Sequence, residues 1–266
     1  MAITTSDSST TAAPGAETRA ALGPLLFGFF PAQVLHVGAT LGLADHLVDG
    51  PLTTDPEYQA MFNRAMSEGT RNATPGIVEA GDFGRFSWVI DVGGGDGTLL
   101  AAVLAAHPGL RGTVFDTADG MSDAAATLAG AGLSDRASAE AGDFFTSVPE
   151  GPDAYLVKSV IHDWNDERST AILANIRAAM PADGTLLLVE PVMPPEPAAT
   201  ADVLMMVMSD LNMLVCTGGK ERTEAEFRTL LADAGFALRS ITPASGPTSF
   251  SVLEAVPSAP RSAPPR

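Results

Sequence analysis

An α/β fold with a mostly parallel, doubly wound sheet is the architecture this chain predicts, on three observations. From Trp88 onward, short apolar runs alternate with segments of helical periodicity. The first run ends in a glycine-rich loop, VGGGDG, that leads straight into an Ala/Leu-rich helix. The last two runs, FALRSITPA and SFSVLEAV, are joined only by SGPT, so they form an antiparallel strand pair that completes the sheet.

Composition bounds what such a fold can be for. At 266 residues with 45% apolar content, the chain holds one large domain or one domain with an added module, and buries a sizeable core. A net charge of -17 argues against nucleic acid or an anionic membrane surface as a partner; it names no substrate, though it would accommodate a cationic ligand. Cys216 is the only cysteine, which excludes an internal disulfide and a multi-cysteine zinc site and suits a reducing compartment. Residues 1–20 are Ser/Thr/Ala-rich without the pattern of a secretory signal, and the apolar stretch 21–48 is broken by Pro24, Pro31, Gln33 and His36. These features predict a soluble, cytoplasmic protein with no membrane span.

The elements follow in order. Residues 1–20 and 257–266 are expected to be disordered tails, 21–85 a helical region, and 86–256 the ligand-binding sheet domain. In the helical region, Val34, Val37, Leu41 and Leu47 recur before a Gly-Pro stop, and DPEYQAMFNRAMSEGTRN follows as a second helix. WVIDV is the first strand, TLLAAVLAAH a helix stopped by Pro108, and GTVFD the second strand, followed by a helix in 121–130. SAEAGDFF holds a weak strand, AYLVKSVI a stronger one, 166–180 a helix closed by Pro181, and GTLLLVEPV another strand. Thr223 and Glu226 form a capping box for a helix whose apolar face is Phe227, Leu230, Leu231 and Ala234.

The chemistry concentrates at strand ends. Gly93, Gly95 and Gly97 follow the first strand, where glycines let backbone approach a ligand at a helix N-terminus. Asp116 ends the second strand, where an acid can hold two ribose hydroxyls. Thr98 stands where a dinucleotide fingerprint has its last glycine, and no lysine follows the loop to meet phosphates. Asp91, Asp96, Asp116 and Asp143 make the neighbourhood acidic, which suits a ligand carrying an ammonium and a sulfonium better than a pyrophosphate. S-adenosyl-L-methionine therefore fits better than a nicotinamide dinucleotide.

VIDVGGGDGTLL, FD at 115–116, GDFF at 142–145, VKSVIHDWNDERS, LLLVEPVMP and GGKERTEAEF stand in the order seen in class I O-methyltransferases. From about Phe30 to Leu253 the chain resembles the branch holding caffeic acid, hydroxyindole and bacterial polyketide O-methyltransferases. The resemblance implies a Rossmann-like methyltransferase fold, with S-adenosylmethionine held by the glycine loop at Gly93 and Gly95 and by Asp116, Asp143 and Phe144. It places Lys158 and Trp164 near the cofactor, Trp164 on the adenine. His162 becomes a general base for a hydroxyl acceptor, since an imidazole of ordinary pKa about 6.5 can take a proton that a phenol holds to about pH 10. Glu190 and Glu221 support that base, and no metal is required. Asp163 helps place the acceptor or the cofactor, while Asp210, Asn212 and Met213 are candidate acceptor contacts.

Each residue also has a plainer reading. Glu190 is equally a strand-end acid, Glu221 the start of the last helix, Lys158 a strand lysine, and the methionines of VLMMVMSDLNMLVC a core or subunit contact. The chain also departs from the family. LGLADHLVDGPLT matches the entry to a winged-helix module, and DPEYQAMFNRAM matches a segment normally found well after it. The two nearly meet at Thr53–Asp55, as if most of the module were missing. The apolar N-terminal helices then suggest a homodimer. Two other functions stay open: a non-methylating enzyme on this fold, and a non-catalytic subunit of a longer relative.

Overall fold

The computed structural model describes residues 56–258 except 197, 199 and 247, with side chains from residue 67 onward except 201 and 202. The expected tail 1–20, the first N-terminal helix and the junction at Thr53–Asp55 lie outside the described residues. The chain divides into compact units at 1–59 and 60–266. Residues 60–80 of the expected helical region therefore belong to the same unit as the sheet.

Helix α1 (Pro56–Ala80) precedes eight strands: β1 (Trp88–Val92), β2 (Arg111–Asp116), β3 (Ala137–Ala141), β4 (Ala154–Lys158), β5 (Thr185–Met193), β6 (Arg222–Thr223), β7 (Phe236–Pro243) and β8 (Phe250–Pro257). Between them lie α2 (Thr98–Ala106), α3 (Ala124–Gly130), α4 (Asp166–Ala179), α5 (Ala201–Cys216) and α6 (Glu224–Asp233). The sheet order is β3-β2-β1-β4-β5-β8-β7, with β6 added beside β5. Strands β3 to β5 of that path run parallel, and β8 is antiparallel to both β5 and β7. The predicted doubly wound sheet with an antiparallel end is the observed one. Pro257 closes β8 rather than opening the tail, because it still pairs with Phe236 at the edge of the sheet.

Strand periodicity divides the core in two. Ile90, Val92, Tyr155, Val157, Leu186 and Leu188 face one side, where Ile172, Leu173 and Ile176 of α4 and Phe227, Leu230 and Leu231 of α6 cover them. Val89, Val114, Leu156, Leu187 and Val189 face the other, under Leu100, Val103 and Leu104 of α2 and Ile77 of α1. Burial on both faces explains why these strands read as continuous apolar runs. Among the described residues no helix is long and apolar enough to cross a membrane.

The topology also fixes where a ligand can sit. From β1 the chain winds outward through β2 and β3, then returns to place β4 on the other side of β1. The crevice at that switch, outside the carboxyl ends of β1 and β4, is where open α/β sheets bind ligands. The expected capping box is present: Thr223 Oγ1 accepts from Glu226 N, and Glu226 Oε2 accepts from Thr223 N at 2.9 Å. Thr223→Ala should cost about 1 kcal/mol of stability, read as a lower denaturation midpoint in urea with an unchanged slope.

Candidate active site

The loop after β1 supplies the first half of the site. Gly93, Gly95 and Gly97 all have left-handed backbone, at φ 71, 55 and 76°. A Cβ at Gly93 would lie 2.5 Å from Val160 Cγ2, so the loop packs against the exit of β4 only because it is bare. A Cβ at Gly95 would meet nothing within 4 Å, which leaves open space above the loop. Asp116 steadies this turn: its Oδ2 accepts from Gly95 N at 2.9 Å and its Oδ1 from Thr117 N.

Asp91 lies beneath the loop, on β1 and 1% exposed, and neither carboxylate oxygen has a hydrogen-bond partner. Burial raises its pKa to about 7, against the pull of Lys158 and with help from Asp116 and Asp96. Lys158 ends β4. Its Nζ donates to Ser159 Oγ at 3.0 Å and lies 4.6 Å from the Phe250 ring centre. Burial lowers its pKa, while Glu190 and Asp91 oppose that.

The second half is the turn that follows β4. Ser159 adopts φ 53°, a left-handed conformation that a side chain disfavours, and a short helical turn over Ile161–Asp163 presents the histidine. Glu190 Oε1 accepts from both Val160 N (3.1 Å) and Ile161 N (2.9 Å), holding the backbone just before His162. His162 Nδ1 is 3.0 Å from Glu221 Oε1 and 3.6 Å from Glu190 Oε2. Its Nε2 lies 3.7 Å from Asp163 Oδ1, beyond hydrogen-bond reach. Glu221 Oε1 also accepts from Ser209 Oγ at 2.7 Å.

Burial pulls the imidazole pKa down. Glu190, the hydrogen bond to Glu221, and the charges of Glu221 and Asp163 more than reverse it, to about 9. Burial in turn raises Glu190 against the attraction of His162, and does the same to Asp163. The arrangement is a partly buried imidazole held at Nδ1 by a buried glutamate.

The remaining candidates are placed unevenly. Phe144, Phe145 and Trp164 form an aromatic cluster, Trp164 edge-on to Phe145 at 4.8 Å, with the Arg168 guanidinium 4.5 Å from the Trp164 ring centre. Asp143 is exposed and caps its own turn through Phe145 N and Thr146 Oγ1. Asp210 Oδ1 accepts from Glu221 N at 2.8 Å, so it positions that acid. Met213 is half-buried, on the same face of α5 as Ser209 four residues before it. Asn212 is exposed, and its Oδ1 meets Cys216 Sγ at 3.5 Å.

Ser209 and Arg222 were not among the sequence candidates. Arg222 adjoins Glu221 in GGKERT, and an arginine beside a candidate acid was the available signal; Ser209 had none beyond its helical spacing from Met213.

Residues 44–237 match the O-methyltransferase domain family. Over 208 residues the chain is 48% identical to an O-demethylpuromycin-O-methyltransferase of Streptomyces alboniger, covering 77% of this chain and 55% of that one. It is 43% identical over 209 residues to a phenazine O-methyltransferase of Lysobacter antibioticus, covering 78% and 59%. Its fold is similar, at a TM-score of 0.69 and 36% identity, to an O-methyltransferase from neocarzinostatin biosynthesis solved with S-adenosylmethionine and 2-hydroxy-5-methyl naphthoic acid, covering 77% and 59%. The chain thus spans less than two thirds of the length of these relatives.

A carboxylate whose folded pKa is raised binds protons in the native state that the unfolded chain releases, so stability falls as pH rises between the two values. For Asp91 that window runs from about 4 to about 7. Asp91→Asn should flatten the stability loss across pH 4–7, measured by urea denaturation at stepped pH.

Proposed function

Because the chain belongs to the O-methyltransferase domain family, we propose that it is an S-adenosylmethionine-dependent enzyme that methylates a hydroxyl, phenolic in kind, on a small natural product. One observation carries this reading. A histidine held at Nδ1 by a buried glutamate sits at the sheet's switch point, across from a glycine loop with a buried acid beneath it that makes no hydrogen bond.

The residues present fit the cofactor. Gly95 leaves open space beside the loop for its backbone contacts, Gly93 lets the loop lie against Val160, and Asp116 retains acceptor capacity for ribose hydroxyls after serving the loop. Asp91 offers a buried anion to a cationic ligand. Asp143, Phe144, Lys158 and Trp164 border the same crevice in this reading, with the aromatic cluster next to the adenine. When bound, S-adenosylmethionine supplies a methyl group already activated by its sulfonium.

The chain's own residues then do the proton chemistry. Glu221 accepts from Nδ1–H, so once the imidazolium loses a proton, as pH approaches 9, it is Nε2 that carries the lone pair for the acceptor's hydroxyl proton. Glu190 and Glu221 stabilise the imidazolium that results. A base with pKa about 9 matches a phenol of about 10 better than an ordinary imidazole does. Asp163 and Met213 border the acceptor, an assignment supported by their positions beside Nε2 and Ser209. The relatives named for phenazine and for a hydroxynaphthoic acid complex favour an aromatic acceptor. The apolar sequence of 21–48 keeps a homodimer within the proposal.

Calorimetric titration with S-adenosylhomocysteine tests the cofactor half: micromolar binding is expected, and none by the folded chain would defeat the reading. His162→Ala should keep that affinity and lose at least about 100-fold in methyl transfer to a phenol panel. Undiminished methyl transfer in His162→Ala would reject the base assignment, while S-adenosylhomocysteine binding without methyl transfer by the parent chain would point instead to non-methylating chemistry or a non-catalytic subunit. In the parent enzyme, kcat/KM should climb with pH and level off near 9, as the imidazole loses its proton.

A further inference from the structure

Arg222 is fully buried, yet its hydrogen bonds reach no part of the glycine loop and neither catalytic carboxylate. Its Nη1 donates to Ile161 O (2.9 Å) and Lys220 O (3.4 Å), and its Nη2 to Trp164 O (2.8 Å) and Ser169 Oγ (3.2 Å). Its Nε and Nη2 both reach Asp166 Oδ1, at 3.0 and 2.9 Å. Ile161 and Trp164 bracket His162, so one guanidinium holds the backbone on both sides of the candidate base.

The same short segment closes on that turn at two further points. Lys220 N donates to His162 O at 3.0 Å, and a Cβ on Gly219 would fall within the van der Waals radius of that carbonyl. Arg222 itself is fixed where β6 pairs with β5, opposite Val192. Glu221, between Lys220 and Arg222, is thereby carried to the imidazole by its neighbours' grip on the imidazole's own backbone.

We propose that Arg222 is a positioning residue: it locks the segment holding Glu221 to the turn holding His162 and so sets the Nδ1–Glu221 contact on which the base depends. This rests on the methyltransferase reading for its effect on rate, while the contact itself can be tested without turnover. The groups facing His162 are Glu190 from β5, Glu221 from the segment before β6 and Asp163 from its own turn; Lys158 of β4 acts on Glu190. Asp210 of α5 meets only the Glu221 backbone.

The sign of one measurement separates positioning from simple charge. Removing a cation near an imidazole would by itself raise its affinity for a proton. Losing the Glu221 hydrogen bond lowers it. The experiment is a histidine-selective NMR titration of the full chain, with His162 assigned by loss of its signal in His162→Gln. In Arg222→Met the His162 midpoint should drop from about 9 toward the ordinary value of about 6.5. Arg222→Lys keeps the charge but not the fork, and should shift it part of the way.

Where turnover is measurable, kcat in Arg222→Met should fall by up to about 100-fold with little change in the KM for S-adenosylmethionine. A folded Arg222→Met with an unmoved or raised midpoint overturns the proposal. If that variant fails to fold, an unmoved midpoint in Arg222→Lys does so. A lowered midpoint in a chain that transfers no methyl group would uphold the clamp and reject the methyltransferase reading alone.

Discussion

Glu190 is the constraint on which the site depends. Fully buried at the end of β5, it spends one carboxylate oxygen on two consecutive backbone amides at the exit of β4 and turns the other toward His162. A buried carboxylate is costly to leave unpaired, and a cation beside it offsets that cost. Its backbone grip stops β4 from continuing as a strand, its charge favours the imidazolium, and the strained Ser159 is tolerated in between. The turn after β4 and part of the histidine's proton affinity thus rest on one acid placed in the core, at the crevice that the strand order creates.

The two halves of the crevice meet different electrostatic needs with the same means. Under the glycine loop, Asp91 is a buried acid without a hydrogen-bond partner, and burial keeps its pKa near neutral. Behind His162, two buried acids share one imidazole and raise its pKa to about 9 against the opposing effect of burial. Lys158 stands between, electrostatically coupled to both Asp91 and Glu190. Its burial is therefore explained by anions on either side, which a strand lysine directed to solvent would not need.

Much of this was legible in sequence. The glycine loop, the alternation of strands and helices, and the capping box at Thr223 are local patterns, and local backbone preferences produced the expected elements. HDW and GGKERT marked both partners of the His162–Glu221 contact, 59 residues apart. The placements of Asp210 and Asn212 were not legible, because helical spacing alone does not say which face of α5 meets Glu221. Asp210 holds a backbone amide, and Asn212 sits on the exposed side.

The sequence by itself determined the class of fold, the strand-end loops and the candidate for the base, since these depend on short-range periodicity and on residue types confined to a few turns. Only the tertiary structure decided which acid touches His162 Nδ1, that Arg222 faces inward, and that Asp91 is left without a hydrogen bond. Those facts depend on contacts between segments distant in the chain. Neither a carboxylate's partner nor its desolvation exists until β4, β5 and the 219–223 segment have been packed together.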